Sequence, residues 1–185
     1  MESTSVSAGF TTKDLVYTAI FAALIAVCSW ISIPTTVPFT LQTFGVFMAV
    51  NTLGGKRGTL AVLVFILLGA VGLPVFSGFT GGVGIILGST GGYIIGFLFT
   101  ALIMWAIEHF FGRSFPVRIL SMLAGLLVCY AFGTVWFHQV YARQNGAVGW
   151  MTVLGWCVFP FIIPDLAKIA LAFGLGKTLR KVIKW

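Results

Sequence analysis

Asp165 and Lys168 stand three residues apart within 158–173, a stretch that is otherwise almost wholly apolar. A bare charge at bilayer depth costs at least a few kcal/mol, so charges inside a membrane face a cavity and find partners. Spacing of three places both side chains on one helical face. A carboxylate accepts N–H donors, and an ammonium donates to a carbonyl or carboxylate. The pair therefore suits a small polar ligand whose edge carries both donor and acceptor, such as an amide or a cyclic urea. The plainer alternative is an ion pair that only joins two parts of the structure.

The elements that must hold this pair are membrane helices. Of 185 residues, 59% are hydrophobic and only 8% charged, with a mean hydropathy of +1.07. Soluble domains carry about 25% charged residues, so this chain lacks the surface of one. The net charge of +7 could suggest nucleic acid, but its placement argues against that. Lys13, Lys56, Arg57, Arg113, Arg118, Lys177, Arg180, Lys181 and Lys184 all fall in alternate gaps between apolar runs, and the other gaps hold only Arg143. This is the positive-inside pattern. It puts both termini in the cytoplasm and requires an even number of crossings.

The apolar runs predict an all-α membrane protein, one bundle of six transmembrane helices spanning 1–185, at about 14–33, 40–53, 58–73, 90–110, 116–138 and 151–181. A span needs about 20 residues, so the second and third are short, divided at Lys56-Arg57. The sixth contains Pro160 and Pro164, which disfavour continuous helix through the preceding turn. A break near 160–164 follows, with Asp165 close to the start of a helical piece. At 1.5 Å per residue Asp165 lies roughly 18 Å above Lys177, past the midplane toward the outer face. Two outer segments, 33–42 with two prolines and 73–92 rich in glycine, carry no charge. Irregular backbone at membrane depth must be surrounded by protein or line a water-filled cavity, so both are expected to fold over an outward-facing pocket. No internal duplication supports an inverted-repeat carrier.

Other features have mostly structural readings. Gly88, Gly92 and Gly96 form a stripe for close helix packing. Gly176-Lys177-Thr178 resembles the end of a phosphate loop, but Leu171 stands where the first glycine belongs. The chain is therefore not expected to hydrolyse ATP or to act as an enzyme. Ser89 would need a histidine in reach to be a nucleophile, and only His138 is expected on that side. Cys28, Cys129 and Cys157 sit in apolar runs at no metal-ligand spacing. Ala19, Ala22, Ala23 and Ala26 form two small-x-x-x-small pairs, fit either for internal packing or for docking a second membrane protein. Trp30, Trp136 and Trp150 fall near outer helix ends, where an aromatic belt is the default explanation.

Four ordered blocks, VPFTLQTFGVFMAV (37–50), LGGKRGTLAVLVFILLGAVGLPVFSGFTGG (53–82), GSTGGYIIGF (88–97) and PDLAK (164–168), resemble the BioY family. These are the biotin-specific substrate-capture (S) components of energy-coupling factor (ECF) transporters. The resemblance implies six helices and an outward pocket roofed by the first and third loops of a multi-pass protein of the bacterial cell membrane. It implies biotin as transported ligand, with no cofactor or metal, and as partner a transmembrane coupling protein bearing two ATPase subunits. It also implies that Asp165 and Lys168 hold the ureido ring, that Thr80 is the polar residue before the third-loop glycine pair, and that Tyr93 lies near the pocket. The alanines of helix one would meet the coupling protein. Gln42 and Trp136 complete the expected lining. Ser89 stands where the family commonly has proline, and Ile94 where some members have arginine, which leaves the partner of the ligand carboxylate open. A sister component for another vitamin, or a stand-alone gradient-driven carrier, are the rival readings.

Overall fold

The computed structural model describes residues 11–182; Lys184 and both termini lie outside them. Helix α1, Thr12–Trp30, opens with a capping box in which Thr11 Oγ1 accepts from Asp14 N–H at 3.2 Å and Asp14 Oδ2 accepts from Thr11 N–H at 3.0 Å. Reciprocal bonding of this kind satisfies two otherwise orphan helix donors. Asp14 also meets Arg57 Nε at 2.8 Å, which ties the start of α1 to the start of α3.

The chain leaves α1 at Ile31, three residues short of Pro34. Residues 32–40 form a small antiparallel hairpin, β1 Ser32–Ile33 and β2 Phe39–Thr40. The run expected as helix to residue 33 therefore ends at Trp30, because a proline fixes φ, lacks an N–H and biases its predecessor to extended backbone.

Helices α2, Gln42–Leu53, and α3, Gly55–Ala70, are divided at Gly54 rather than at Lys56-Arg57. Gly54 has φ +85, a left-handed conformation open to glycine at little cost. The freed Gly55 N–H is received by Glu108 Oε2 at 2.7 Å. After α3 the chain runs through a 3-10 turn, Ser77–Phe79, and the short α4, Val83–Leu87, the latter absent from the sequence expectation.

Helix α5, Gly91–Phe111, ends at Gly112, and α6, Phe115–Asn145, follows with a proline in its first turn. At 31 residues α6 is about 46 Å long, more than a hydrocarbon core of about 30 Å. The apolar pattern fades near residue 138, but no breaker occurs before Gly146, so helix continues past the apolar run. The sixth apolar run is broken as expected, into α7, Trp150–Cys157, a 3-10 turn at Phe159–Phe161, and α8, Ile162–Val182.

Four segments are long and apolar enough to cross a membrane: Thr12–Trp30, Gly91–Phe111, Phe115–Asn145 and Trp150–Lys181. Helices α5 and α6 form the most extensive pairing, and α2 lies against α1, α3 and α8. Gly96 faces Cys129, Gly133 faces the Tyr93 ring and Thr100 Oγ1 donates to the Gly125 carbonyl at 2.9 Å. Small residues of this kind let helices approach closely. The main core joins α1, α2, α3, α5, α6 and α8, and a second cluster of Val37, Phe137, Val153, Cys157 and Phe161 lies beside it.

Candidate functional site

A cavity of about 270 Å³ opens between these elements, close to the lower end of the roughly 300–1,000 Å³ usual for small-molecule sites. The hairpin contributes Val37, Pro38 and Thr40 to its wall, and the 71–90 segment contributes Phe76, Ser77, Thr80, Ile85 and Thr90. Helix α2 supplies Gln42 and Thr43, α5 supplies Tyr93, α6 supplies Tyr130, and α8 supplies Asp165 and Lys168.

Asp165 and Lys168 are 2% and 4% exposed, so neither charge is solvated and protein must satisfy both. Lys168 Nζ donates to Asp165 Oδ1 at 2.7 Å, to the Thr40 carbonyl at 2.7 Å and to Thr43 Oγ1 at 3.1 Å. An ammonium has three donors, and these contacts use all of them. The Phe39 ring lies 4.7 Å from the same nitrogen, where its quadrupole attracts the cation. Thr43 Oγ1 in turn donates to Asp165 Oδ1 at 2.9 Å, and Tyr130 OH donates to Asp165 Oδ2 at 2.5 Å. The charges cancel, and every donor of Lys168 is bonded while the pair still forms part of the cavity wall. One lone-pair position on Asp165 Oδ2 has no donor among the described residues.

The other polar groups differ in how free they are. Thr80 Oγ1 donates to the Ser77 carbonyl at 2.9 Å, and Tyr93 OH shares a bond with Thr134 Oγ1 at 2.9 Å. Gln42 is 5% exposed and its Nε2 has no hydrogen-bond partner among the described residues. An amide nitrogen left this way normally costs stability, so it stands out as a buried, unpartnered donor on a residue of the cavity wall. The cavity is thus lined by the Asp165 carboxylate, by Gln42, by hydroxyls on the 71–90 side and by apolar walls from Phe76, Ile94, Phe97 and Phe161.

Trp136 is not among the lining residues. Its indole N–H donates to the Gly88 carbonyl at 3.0 Å and its side chain covers Gly92, so it braces the start of α5 from outside the cavity. The alanine stripe also divides. Ala22 and Ala26 are 1% and 6% exposed within the core, whereas Ala19 and Ala23 face outward with Ile20 and Val27. Ala22 and Ala26 therefore serve internal packing and are unavailable to a partner. His138 is bonded to the Val148 carbonyl at 3.1 Å and stacked on Trp150, a structural placement.

Thr40, Thr43, Phe39 and Tyr130 were not singled out by sequence reasoning. A signal existed for Tyr130, a phenol in the middle of an apolar span, since a buried tyrosine hydroxyl needs a partner. Thr40, at the end of β2, serves through its backbone carbonyl and Thr43, in the first turn of α2, through its hydroxyl, and no residue spacing announces either.

The BioY family model matches residues 1–185. The chain is 40% identical over 175 residues to the biotin transporter BioY of Thermotoga maritima, covering 92% of this chain and 97% of that one. It is 39% identical over 186 residues to the biotin transporter BioY of Rhizobium etli, covering 91% and 93%. A crystal structure described as the S-component for biotin from an ECF-type ABC transporter superposes with a TM-score of 0.81 at 30% identity, covering 94% of this chain and 95% of that one. With a match across its whole length and relatives alike over nine-tenths of theirs, the chain belongs to the BioY family.

Proposed function

We propose that this protein captures biotin and serves in its uptake as the S component of an ECF-type transporter, acting as a transport subunit rather than an enzyme. The observation that carries the reading is the buried, charge-balanced Asp165–Lys168 pair at the wall of a cavity sized for a small ligand. Biotin relatives of nearly equal length agree with it. In this reading the free lone pair of Asp165 Oδ2 accepts a ureido N–H. Lys168, its three donors engaged, holds Asp165 in position, and the ureido oxygen takes the unpartnered Gln42 Nε2. Phe76, Ile94, Phe97 and Phe161 surround the fused rings, while the valerate carboxylate points to the hydroxyls of Ser77, Thr80 and Thr90.

The membrane arrangement proposed is six crossings with both termini cytoplasmic, α7 and α8 together making the sixth. Contacts support the orientation: Asp14–Arg57, Glu108–Arg113 and Asn51–Arg180 link the ends of α1, α2, α3, α5 and α8 where the basic residues gather. The cavity then opens outward, with the 33–39 and 73–90 loops over it. Energy comes from a transmembrane coupling protein carrying two ATPase subunits, docked on the outward stripe of Ala19 and Ala23.

The decisive experiment is mass spectrometry of protein purified without added ligand, followed by biotin titration of the stripped protein. Stoichiometric biotin in the first and saturable binding in the second are expected. A stripped, folded protein that binds no biotin, or binds another vitamin in preference, overturns the assignment.

A further inference from the structure

At the opposite end of the bundle from the cavity, Arg118 and Arg180 have no acidic partner among the described residues. The whole chain has four acidic residues. Asp165 belongs to the cavity, Asp14 pairs with Arg57, and Glu108 pairs with Arg113 while receiving the Gly55 N–H; Glu2 lies outside the described residues. Arg118 of α6 and Arg180 of α8 therefore converge on a neutral group. Their Nη1 atoms lie 3.4 and 2.6 Å from the same Asn51 Oδ1, hence within about 6.0 Å of each other. Asn51 cannot turn away from them. Its Nδ2 donates to the Ala172 carbonyl at 2.9 Å, and a Cβ at Gly176 would clash with that nitrogen, so α8 presses directly on the amide.

Each guanidinium keeps N–H donors unused by the described residues. Arg118 donates Nε to the Arg113 carbonyl at 2.9 Å and Nη1 to Asn51, and Arg180 donates Nη1 to the carbonyl and side-chain oxygens of Asn51; a guanidinium has five donors. Burial first, and then the Arg118 and Arg57 cations, hold the Arg113 guanidinium below its usual range, as expected where like charges crowd. Positive-inside topology alone asks only for basic residues in the loops. It does not ask two of them, from separate helices, to be half-buried and locked on one oxygen.

The surroundings indicate what completes the site. Phe110, Phe111 and Phe115 are 77%, 72% and 64% exposed and bracket the turn from α5 to α6, where two membrane spans end. The Phe115 ring meets Phe173 of α8 at 4.8 Å, which places this apolar face beside the arginines. The cleft among Asn51, Glu108, Arg113, Arg118 and Ser121 is about 20 Å³, room for about one water, so an anion would sit at its mouth. Basic side chains at the cytoplasmic membrane surface attract anionic headgroups, and the fork of an arginine matches a phosphate.

We propose that Arg118 and Arg180, fixed by Asn51, bind the phosphodiester of an anionic phospholipid, whose acyl chains lie along Phe111 and Phe115. The lipid bridges the ends of α6 and α8 and supplies negative charge that the described residues lack there.

The test uses the full-length protein in neutral detergent, with thermal unfolding followed after adding phosphatidylglycerol, phosphatidylcholine or sodium phosphate at constant ionic strength. Phosphatidylglycerol should raise the midpoint by about 3 °C or more, phosphatidylcholine and phosphate should not, and Arg118→Gln with Arg180→Gln should abolish the shift while leaving biotin binding intact. Equal shifts with both lipids, or a shift that survives the double substitution, overturn the proposal. Reproduction of the shift by sodium phosphate also overturns it, assigning the site to a soluble anion. So does a double variant that keeps the lipid shift but loses uptake with the coupling subunits, which would assign the arginines to an acidic protein surface. Should the double variant fail to fold, native mass spectrometry of the wild type decides. Enrichment of phosphatidylglycerol over phosphatidylcholine after extraction from an equimolar membrane is the expected result, and equal retention overturns the assignment.

Discussion

The Tyr130 hydroxyl donates to Asp165 Oδ2 at 2.5 Å, joining the middle of α6 to the first turn of α8 at the cavity wall. Without it this carboxylate oxygen would face the cavity with no protein donor. A hydrogen bond to a charged group contributes about 1.5–3 kcal/mol. Tyr130→Phe is therefore expected to lower the unfolding midpoint and weaken biotin by about tenfold or more, since Asp165 loses the bond that aims it. Titration calorimetry together with thermal unfolding checks this; an unchanged affinity would detach Tyr130 from the site.

The paired charges give a prediction with two parts. Asp165→Asn or Lys168→Ala leaves its partner buried and uncompensated, and each is expected to cost about 3–5 kcal/mol of stability and to abolish biotin binding. The double substitution Asp165→Asn with Lys168→Met removes both charges at similar volume, and such replacements are often neutral or stabilising. It should recover much of the folding stability and none of the binding. A double variant that binds biotin like the wild type would remove the site.

Gln42 should behave in the opposite way. Its Nε2 has no partner among the described residues, so Gln42→Leu removes an unsatisfied buried donor and should leave the unfolding midpoint unchanged or higher. Biotin affinity should nonetheless fall by about tenfold or more, because a donor to the ligand is lost. Chemical denaturation and biotin titration of one preparation measure both. Loss of stability with unaltered affinity would show that the amide serves the fold alone.

Helix α1 offers a contrast between neighbouring alanines. Ala19→Leu with Ala23→Leu changes the outward face and should block uptake by the complete transporter while sparing biotin binding. Ala22→Leu or Ala26→Leu forces volume into the core, and overpacking of that kind costs about 1–3 kcal/mol. Uptake assays beside unfolding curves separate the two. If the outward pair lowers stability as the inward ones do, that face is packing rather than a docking surface.

The features legible in the sequence were those set by composition and by backbone breakers. Hydropathy located the helices, the prolines at 160 and 164 announced the break before α8, and membrane charge cost singled out Asp165 and Lys168. Boundaries were missed where a single residue conformation decides them: Gly54, at φ +85, moves the α2–α3 division ahead of Lys56-Arg57. Helix α6 outran its apolar run because polarity ends a hydropathy signal without ending a helix. At the site, Thr43 and Tyr130 escaped notice because their roles depend on helices far apart in the chain. Small residues at i, i+3, i+4 and i+7 could not reveal which side of α1 faces inward, so Ala22 and Ala26 were grouped with Ala19 and Ala23. Trp136 stands near the right segment, but its indole is bonded to the Gly88 carbonyl just ahead of α5 and packed on Gly92.

The bond from Lys168 to the Thr40 carbonyl has a bearing on how the cavity can admit a guest. The foot of the 32–40 hairpin cannot swing away without stripping a buried ammonium of one of its three acceptors. The turn is held as well, since Val37 borders the cavity and packs with Phe137, Val153, Cys157 and Phe161. The last helix and a buried apolar cluster thus pin the hairpin at its foot and at its turn.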